Sequence, residues 1–221
     1  MCKEIDIRYM PEKTEKVFKT LSELSFIKKY SLVGGTALSI QIGHRMSEAL
    51  DFIYDSEKLN TQTIKRNISK HFPNYKIIRQ DYDWQIDFVI NDVKVTFFSA
   101  GAVQVPLKVI PHTIMYNNLN ICRFNIIASL KMATIAQLNT ITDYFDLYIL
   151  SKYHMPLVDI ISQTKKLFPN LSAITYTETL VYTDDIEEQT IENHLSPSEP
   201  ATKQQISSYF TQELRKIKHL I

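Results

Sequence analysis

Three of the four glycines in this 221-residue chain, Gly34, Gly35 and Gly43, fall between Leu32 and Phe52, in the segment LVGGTALSIQIGHRMSEALDF. Gly34-Gly35 lies between the apolar pair Leu32-Val33 and a helical stretch, Thr36 to Ile42. That order predicts a short strand, a tight turn that lets other atoms approach the backbone, and a helix N-terminus. The free amides and positive dipole end of such a helix suit a phosphate. A second strand, Ala49 to Tyr54, would carry Leu50, Phe52 and Tyr54 on one face and Ala49, Asp51 and Ile53 on the other. If it points toward the glycine turn, Asp51 holds a divalent cation against a phosphate resting on those amides. If it points elsewhere, it is a solvated strand residue beside an ordinary turn.

The segment resembles the nucleotidyltransferases of the AbiEii/AbiGii type, the toxin half of bacterial abortive-infection and toxin-antitoxin pairs, within the DNA polymerase beta-like superfamily. That family pattern is a GGTAL-like segment followed by H-R-x-S-x-D-L-D-F. Gly34-Gly35-Thr36-Ala37-Leu38 and His44-Arg45-Met46-Ser47-Glu48-Ala49-Leu50-Asp51-Phe52 follow it with one departure, Ala49 in place of the first aspartate of the Asp-x-Asp pair. Positions i and i+2 of a strand put two carboxylates on one face, roughly 7 Å apart, where they share metal ions. An alanine methyl ligates nothing. The chain is then either a naturally degenerate member or an inactivated variant of an active parent, and the intact surroundings favour the second.

The elements that must position these residues are ordinary in composition. Hydrophobic content of 44% and charged content of 22% describe a globular domain or two, and a net charge of +1 neither demands nor excludes nucleic acid. Cys2 and Cys122 have no metal or redox spacing, which predicts a reducing, cytoplasmic setting and no disulfide. The charged start MCKEIDIRYM has no apolar core of a signal peptide, and no stretch has the apolar length of a membrane span. A helix is expected from Pro11 to Tyr30 through Val17, Leu21, Leu24 and Ile27, and another from Thr61 to Phe72. Strands are expected at Tyr75 to Gln80, Trp84 to Ile90 and Val93 to Ser99, with Asn91-Asp92 turning the last pair. Nucleotidyltransferases of this fold set a third carboxylate beside the Asp-x-Asp strand. The aligned position here is Thr96, with Asp87 either standing in or facing outward as a plain strand residue. Short strands at Leu107 to Ile110 and Leu119 to Cys122 complete the first half.

Beyond Arg123 the period-two alternation gives way to helical spacing, so domains of residues 1–122 and 123–221 are expected. Asn125 to Asn139 would be a helix with Ile127, Leu130, Thr134, Ile135 and Leu138 inward and Lys131 at the margin. Thr142 would cap the next helix, with Asp143 in its first turn and Asp146 on the same face. Helices also follow Pro156 and, after the linker Ser196 to Pro200, span Thr202 to Ile221. The resemblance continues through Leu130-Lys131-Met132-Ala133 and Asp143-Tyr144-Phe145-Asp146-Leu147-Tyr148, with Thr142 and Asn139 where relatives carry basic residues. Tyr182 to Glu188 resembles a late acidic segment of the family, in which Asp184 and Asp185 either contact a metal or partner or are merely solvated.

The resemblance implies an α+β, two-lobed chain: an N-terminal nucleotidyltransferase-like mixed sheet with flanking helices, a C-terminal helical lobe, and a nucleotide cleft between. It implies transfer of a nucleoside monophosphate from an NTP to an RNA, tRNA-like, or protein hydroxyl. Gly34, Gly35 and Thr36 would cradle the phosphates, and Arg45 and Ser47 would neutralise and orient them. Asp51 would hold Mg2+ or Mn2+, Lys131 would steady the triphosphate, and Asp143 and Asp146 would organise the base or that lysine. A cognate antitoxin is the implied partner. The alternatives are a catalytically degenerate nucleotide-binding protein and a partner-binding module of the same fold.

Overall fold

A computed structural model describes residues 5–103, 108–135 and 140–217. It divides into two compact units, Met1–Phe124 and Asn125–Ile221.

The first unit opens with α1 (Glu12–Glu23), capped by Pro11, whose Val17, Phe18 and Leu21 are buried. The single helix expected as far as Tyr30 breaks at Leu24, which is extended (φ −79°, ψ 136°); a 3-10 turn, Ser25–Lys29, follows and Tyr30 already belongs to a strand. That strand, β1 (Tyr30–Val33), runs straight into α2 (Gly34–Ile42), so the two glycines form the first turn of the helix rather than a loop before it. Next come β2 (Leu50–Tyr54), α3 (Thr61–His71), β3 (Tyr75–Asp81), β4 (Gln85–Ile90) and β5 (Val93–Ser99). Trp84, expected to open the next strand, lies instead in the β3–β4 turn. Asn91 and Asp92 both have positive φ, 50° and 62°, the conformation a two-residue hairpin needs.

Of the strand expected at Leu107 to Ile110, Leu107 lies outside the described residues and Ile110–His112 forms a 3-10 turn. Both Asp55 carboxylate oxygens accept backbone amides there, from Val109 and Ile110 at 2.8 Å each, which holds the segment off the sheet ladder. An unexpected strand, β6 (Thr113–Tyr116), pairs instead with β7 (Leu119–Cys122) across a turn in which Asn117 has φ 53°.

The described strands make one seven-stranded mixed sheet in the order β3-β4-β5-β2-β1-β7-β6. Its central strands bury Leu32, Leu50, Phe52, Val95 and Phe97 completely, and Phe52 and Phe97 stack with centroids 4.9 Å apart. Cys122 is a free buried thiol whose pKa burial pushes well up, which makes it unreactive; Cys2 lies outside the described residues.

The second unit is helical: α4 (Phe124–Ile135), whose first residue closes the first unit, then α5 (Ile141–Tyr153), α6 (Leu157–Leu167), α7 (Ala173–Val181) and α8 (Lys203–Ile217). The expected positions Leu138 and Asn139 lie outside the described residues. Sequence periodicity missed α7, whose Tyr176 and Leu180 are its buried residues. None of the described helices is long and apolar enough to cross a membrane. The architecture is α+β.

Candidate active site

The site in the first unit is built where β1, α2 and β2 meet. Val33 of β1 lies opposite Asp51 of the antiparallel β2, so the residue after Val33 is carried over the Asp51 side chain. That residue is Gly34, with φ +71°, and a Cβ placed on it would stand 3.0 Å from Asp51 Oδ2. Asp51 therefore points to the glycine turn, on the side away from the buried Leu50 and Phe52. The N-cap residue of α2, Val33, has no side-chain acceptor to cap the helix, and the first-turn amides have no intrahelical partner.

Gly35 is packed differently. A Cβ there would come within 2.5 Å of Arg45 Nη2 and 3.2 Å of Ser47 Oγ, so the absence of a side chain is what lets the guanidinium lie against the helix start. Arg45 also donates from Nη1 to the Met46 carbonyl at 2.9 Å and is 6% exposed. Thr36 is almost wholly buried; its hydroxyl lies 2.8 Å from Ser47 Oγ and donates to the Ala49 carbonyl. That hydroxyl ties α2 to the lead-in of β2. Thr36 can thus offer a ligand its backbone amide, but not a free hydroxyl. The fold brings Gly34, Gly35, Thr36, Arg45, Ser47, Ala49 and Asp51 together, although Ala49 precedes the strand it was expected to open.

Across the sheet, Asp51 is in register with Thr96 of β5, and Thr96 with Asp87 of β4. Partners in register share a face, so the three side chains form a line. Asp87 is not an outward-facing, solvated residue: it is 4% exposed and accepts from Gln85 Nε2 at 2.8 Å. It stands two strands from Asp51, about 10 Å by ordinary sheet spacing, with a threonine between. Among the described residues no group of three or more His, Cys, Asp or Glu side chains is placed to hold a metal ion. One carboxylate flanked by a methyl at position 49 and a hydroxyl at position 96 suits one cation shared with phosphate oxygens. It does not suit a two-ion centre.

The second unit carries its own polar cluster. Lys131 Nζ lies 2.6 Å from Asp143 Oδ1 and 2.6 Å from Asp146 Oδ2. Lys131 is 6% exposed and Asp146 fully buried, so the lysine sits inside α4's packed face rather than at its margin, while Leu130 is half-buried and Thr134 exposed. The helix cap also differs from expectation: Thr140, not Thr142, is the N-cap of α5, accepting from the Asp143 amide and donating from its hydroxyl to Asp143 Oδ2 at 2.7 Å. The sequence signal was present in the Thr140-x-x-Asp143 spacing of a capping box. Asp184 and Asp185 are exposed.

Residues 17–218 match the model of a family described as nucleotidyl transferase AbiEii toxin of a type IV toxin–antitoxin system. An uncharacterised protein of Aquifex aeolicus (strain VF5) is 28% identical over 189 residues, covering 85% of this chain and 89% of that protein. Among solved structures, MenT4, a nucleotidyltransferase toxin from Mycobacterium tuberculosis H37Rv, superposes with a TM-score of 0.55 at 11% identity, covering 93% of this chain and 88% of that one. JHP933 from Helicobacter pylori gives 0.53 at 17% identity, covering 98% and 96%. The structural likenesses carry the fold; the match along nearly the whole sequence carries the family, and the chain belongs to the AbiEii nucleotidyltransferase toxins.

Proposed function

We propose that this chain is a toxin-type nucleotidyltransferase that binds an NTP at the start of α2 and whose transfer of a nucleoside monophosphate is held down by Ala49. The observation that carries the reading is Gly34 seated over Asp51 at an uncapped helix N-terminus. The α2 amides bind a phosphate of the NTP, and Arg45, held against Gly35, offsets its charge. Asp51 with phosphate oxygens would hold one Mg2+ or Mn2+, which supplies charge neutralisation on the triphosphate when bound. In the reaction the acceptor hydroxyl oxygen bonds to the α-phosphorus, the bond to the β-phosphate oxygen breaks, and pyrophosphate leaves with the electron pair. Asp51 is the carboxylate nearest the amides on this face to accept the hydroxyl proton. In the second unit we assign the nucleotide-steadying charge to Lys131, with Asp143 and Asp146 fixing its position. The acceptor is an RNA or protein hydroxyl, and a cognate antitoxin is the partner.

Ala49 and Thr96 together favour a second reading, a nucleotide-binding protein without transfer. The test incubates the chain and its Ala49→Asp variant with labelled NTPs, Mg2+ and total RNA and follows label on RNA and on protein. The expected outcome is transfer by the variant at least about 100-fold above the parent, the scale of one charge-stabilising group in a transition state. If neither protein transfers label while the parent binds NTP, the second reading replaces the first.

A further inference from the structure

We infer that Lys94 is a nucleotide-positioning residue, its ammonium beside Ala49, flanking the triphosphate from β5 on the same face of the sheet as Asp51. The inference rests on the nucleotide-binding reading above. β2 and β5 are parallel, with Leu50 opposite Val95 and Asp51 opposite Thr96. Continuing that register one residue past the start of β2 sets Ala49 beside Lys94. Side chains alternate along a strand, so Lys94 shares the face of Thr96 and hence of Asp51, and so does Ala49. Adjacent strands stand about 4.8 Å apart, a gap that a four-carbon lysine stem crosses.

Three further observations separate Lys94 from an ordinary surface lysine. It is exposed, and it makes no ion pair among the described residues, including with Asp92 in the adjoining turn. Nor is it an edge-blocking lysine, because β5 is an interior strand with β4 on one side and β2 on the other. Finally, the residues directly across from it are Ala49 and, on β4, Val89, neither of which accepts a hydrogen bond from its side chain. An aspartate at position 49 would neutralise the ammonium. With alanine there, the charge is left for a phosphate, and Gly34, Asp51 and Lys94 lie in sequence across β1, β2 and β5. A triphosphate seated on the α2 amides would meet this lysine on its far side, where an alanine gives it no cation to share.

The test titrates the full chain with ribose-labelled fluorescent ATP, GTP, CTP and UTP, each singly, in EDTA and then in Mg2+. For the nucleotide that binds in EDTA, Lys94→Ala is expected to weaken affinity about tenfold and Lys94→Arg less than about threefold. Ala49→Asp is expected to lose affinity in EDTA, because its carboxylate pairs with Lys94, and to regain it in Mg2+. In the Ala49→Asp background Lys94→Ala then costs less than in the parent, a non-additivity that a merely structural lysine would not produce. An unchanged melting temperature for Lys94→Ala verifies the fold. Binding by Lys94→Ala equal to the parent's overturns this inference and leaves the proposed function standing. Failure of the parent to bind any of the four nucleotides overturns both.

Discussion

At Gly34 the left-handed backbone and the Asp51 carboxylate impose the same requirement from two directions. An alanine there must hold φ near +71° and bring its Cβ to 3.0 Å from Asp51 Oδ2. Gly34→Ala is therefore expected to lower stability by about 1–2 kcal/mol through backbone strain and also to push Asp51 off the amides. Urea denaturation reads the first effect and nucleotide titration the second. Lys131 makes a different kind of contribution. Two aspartates close on it at 2.6 Å, one of them fully buried, so Lys131→Ala leaves carboxylates in the interior without their counter-charge. The expected cost is about 3 kcal/mol, at the lower end for breaking a buried pair because Asp143 keeps some access to water. A cost below about 1 kcal/mol in the same denaturation experiment would mean that water reaches the cluster.

Between the helices of the second unit, the segment before α8 is anchored by Glu199, whose Oε1 accepts from Lys152 Nζ and whose Oε2 accepts from the Tyr153 hydroxyl, both at 2.7 Å. Lys152 also donates to the Tyr148 hydroxyl at 2.7 Å. Burial works to raise the Glu199 pKa, but these hydrogen bonds outweigh it and hold the carboxyl below its ordinary 4.5; the hydrogen bond to Glu199 in turn holds the Lys152 pKa above its ordinary 10.5. A depressed carboxyl adds stability that is present above its unfolded pKa and lost as pH falls through the folded value; a raised lysine adds stability that is present below its unfolded pKa and lost at high pH. Both side chains keep roughly a third of their surface in water, so the pair stabilises by about 0.5–1 kcal/mol. Glu199→Gln should thus melt about 1–4 °C below the parent at pH 7, with the gap closing below about pH 4. Differential scanning calorimetry across that range checks it, and a gap that persists in acid would place the effect in packing rather than charge.

For the molecule as a whole, 25 basic residues against 24 acidic ones leave a net charge of +1. No broad electrostatic field draws the chain to nucleic acid, so recognition of an RNA acceptor has to come from local contacts. Binding to an arbitrary single-stranded RNA is expected to be weak, with a slope of log K against log salt no steeper than about −2, set by two or three phosphate contacts. Filter binding between 50 and 300 mM salt, roughly the range where such slopes are read, measures it. A much steeper slope would reveal a concentrated basic surface.

What the residues determined by themselves was mostly local. Glycines at 34 and 35 with apolar strands on either side, an Asn-Asp turn, and the alternation of Val93 to Ser99 each depend on neighbours along the chain, so the strand–helix–strand of the site and the β4–β5 hairpin were legible. So was the family, because its motif keeps types and spacing over a short contiguous segment. The break at Leu24 and the strand Thr113–Tyr116 were not legible, since the first depends on what α1 packs against and the second on β7 offering a partner. Periodicity placed Lys131 at a helix margin, and only the approach of α5 with its two aspartates made an interior position tolerable for an ammonium. The resemblance had already set Thr96 beside the Asp51 strand, but only the tertiary structure decided the register that puts Asp51, Thr96 and Asp87 in one line across three strands. Strand order and register bring together residues some 45 positions apart through backbone hydrogen bonds, which carry no side-chain signature in the sequence.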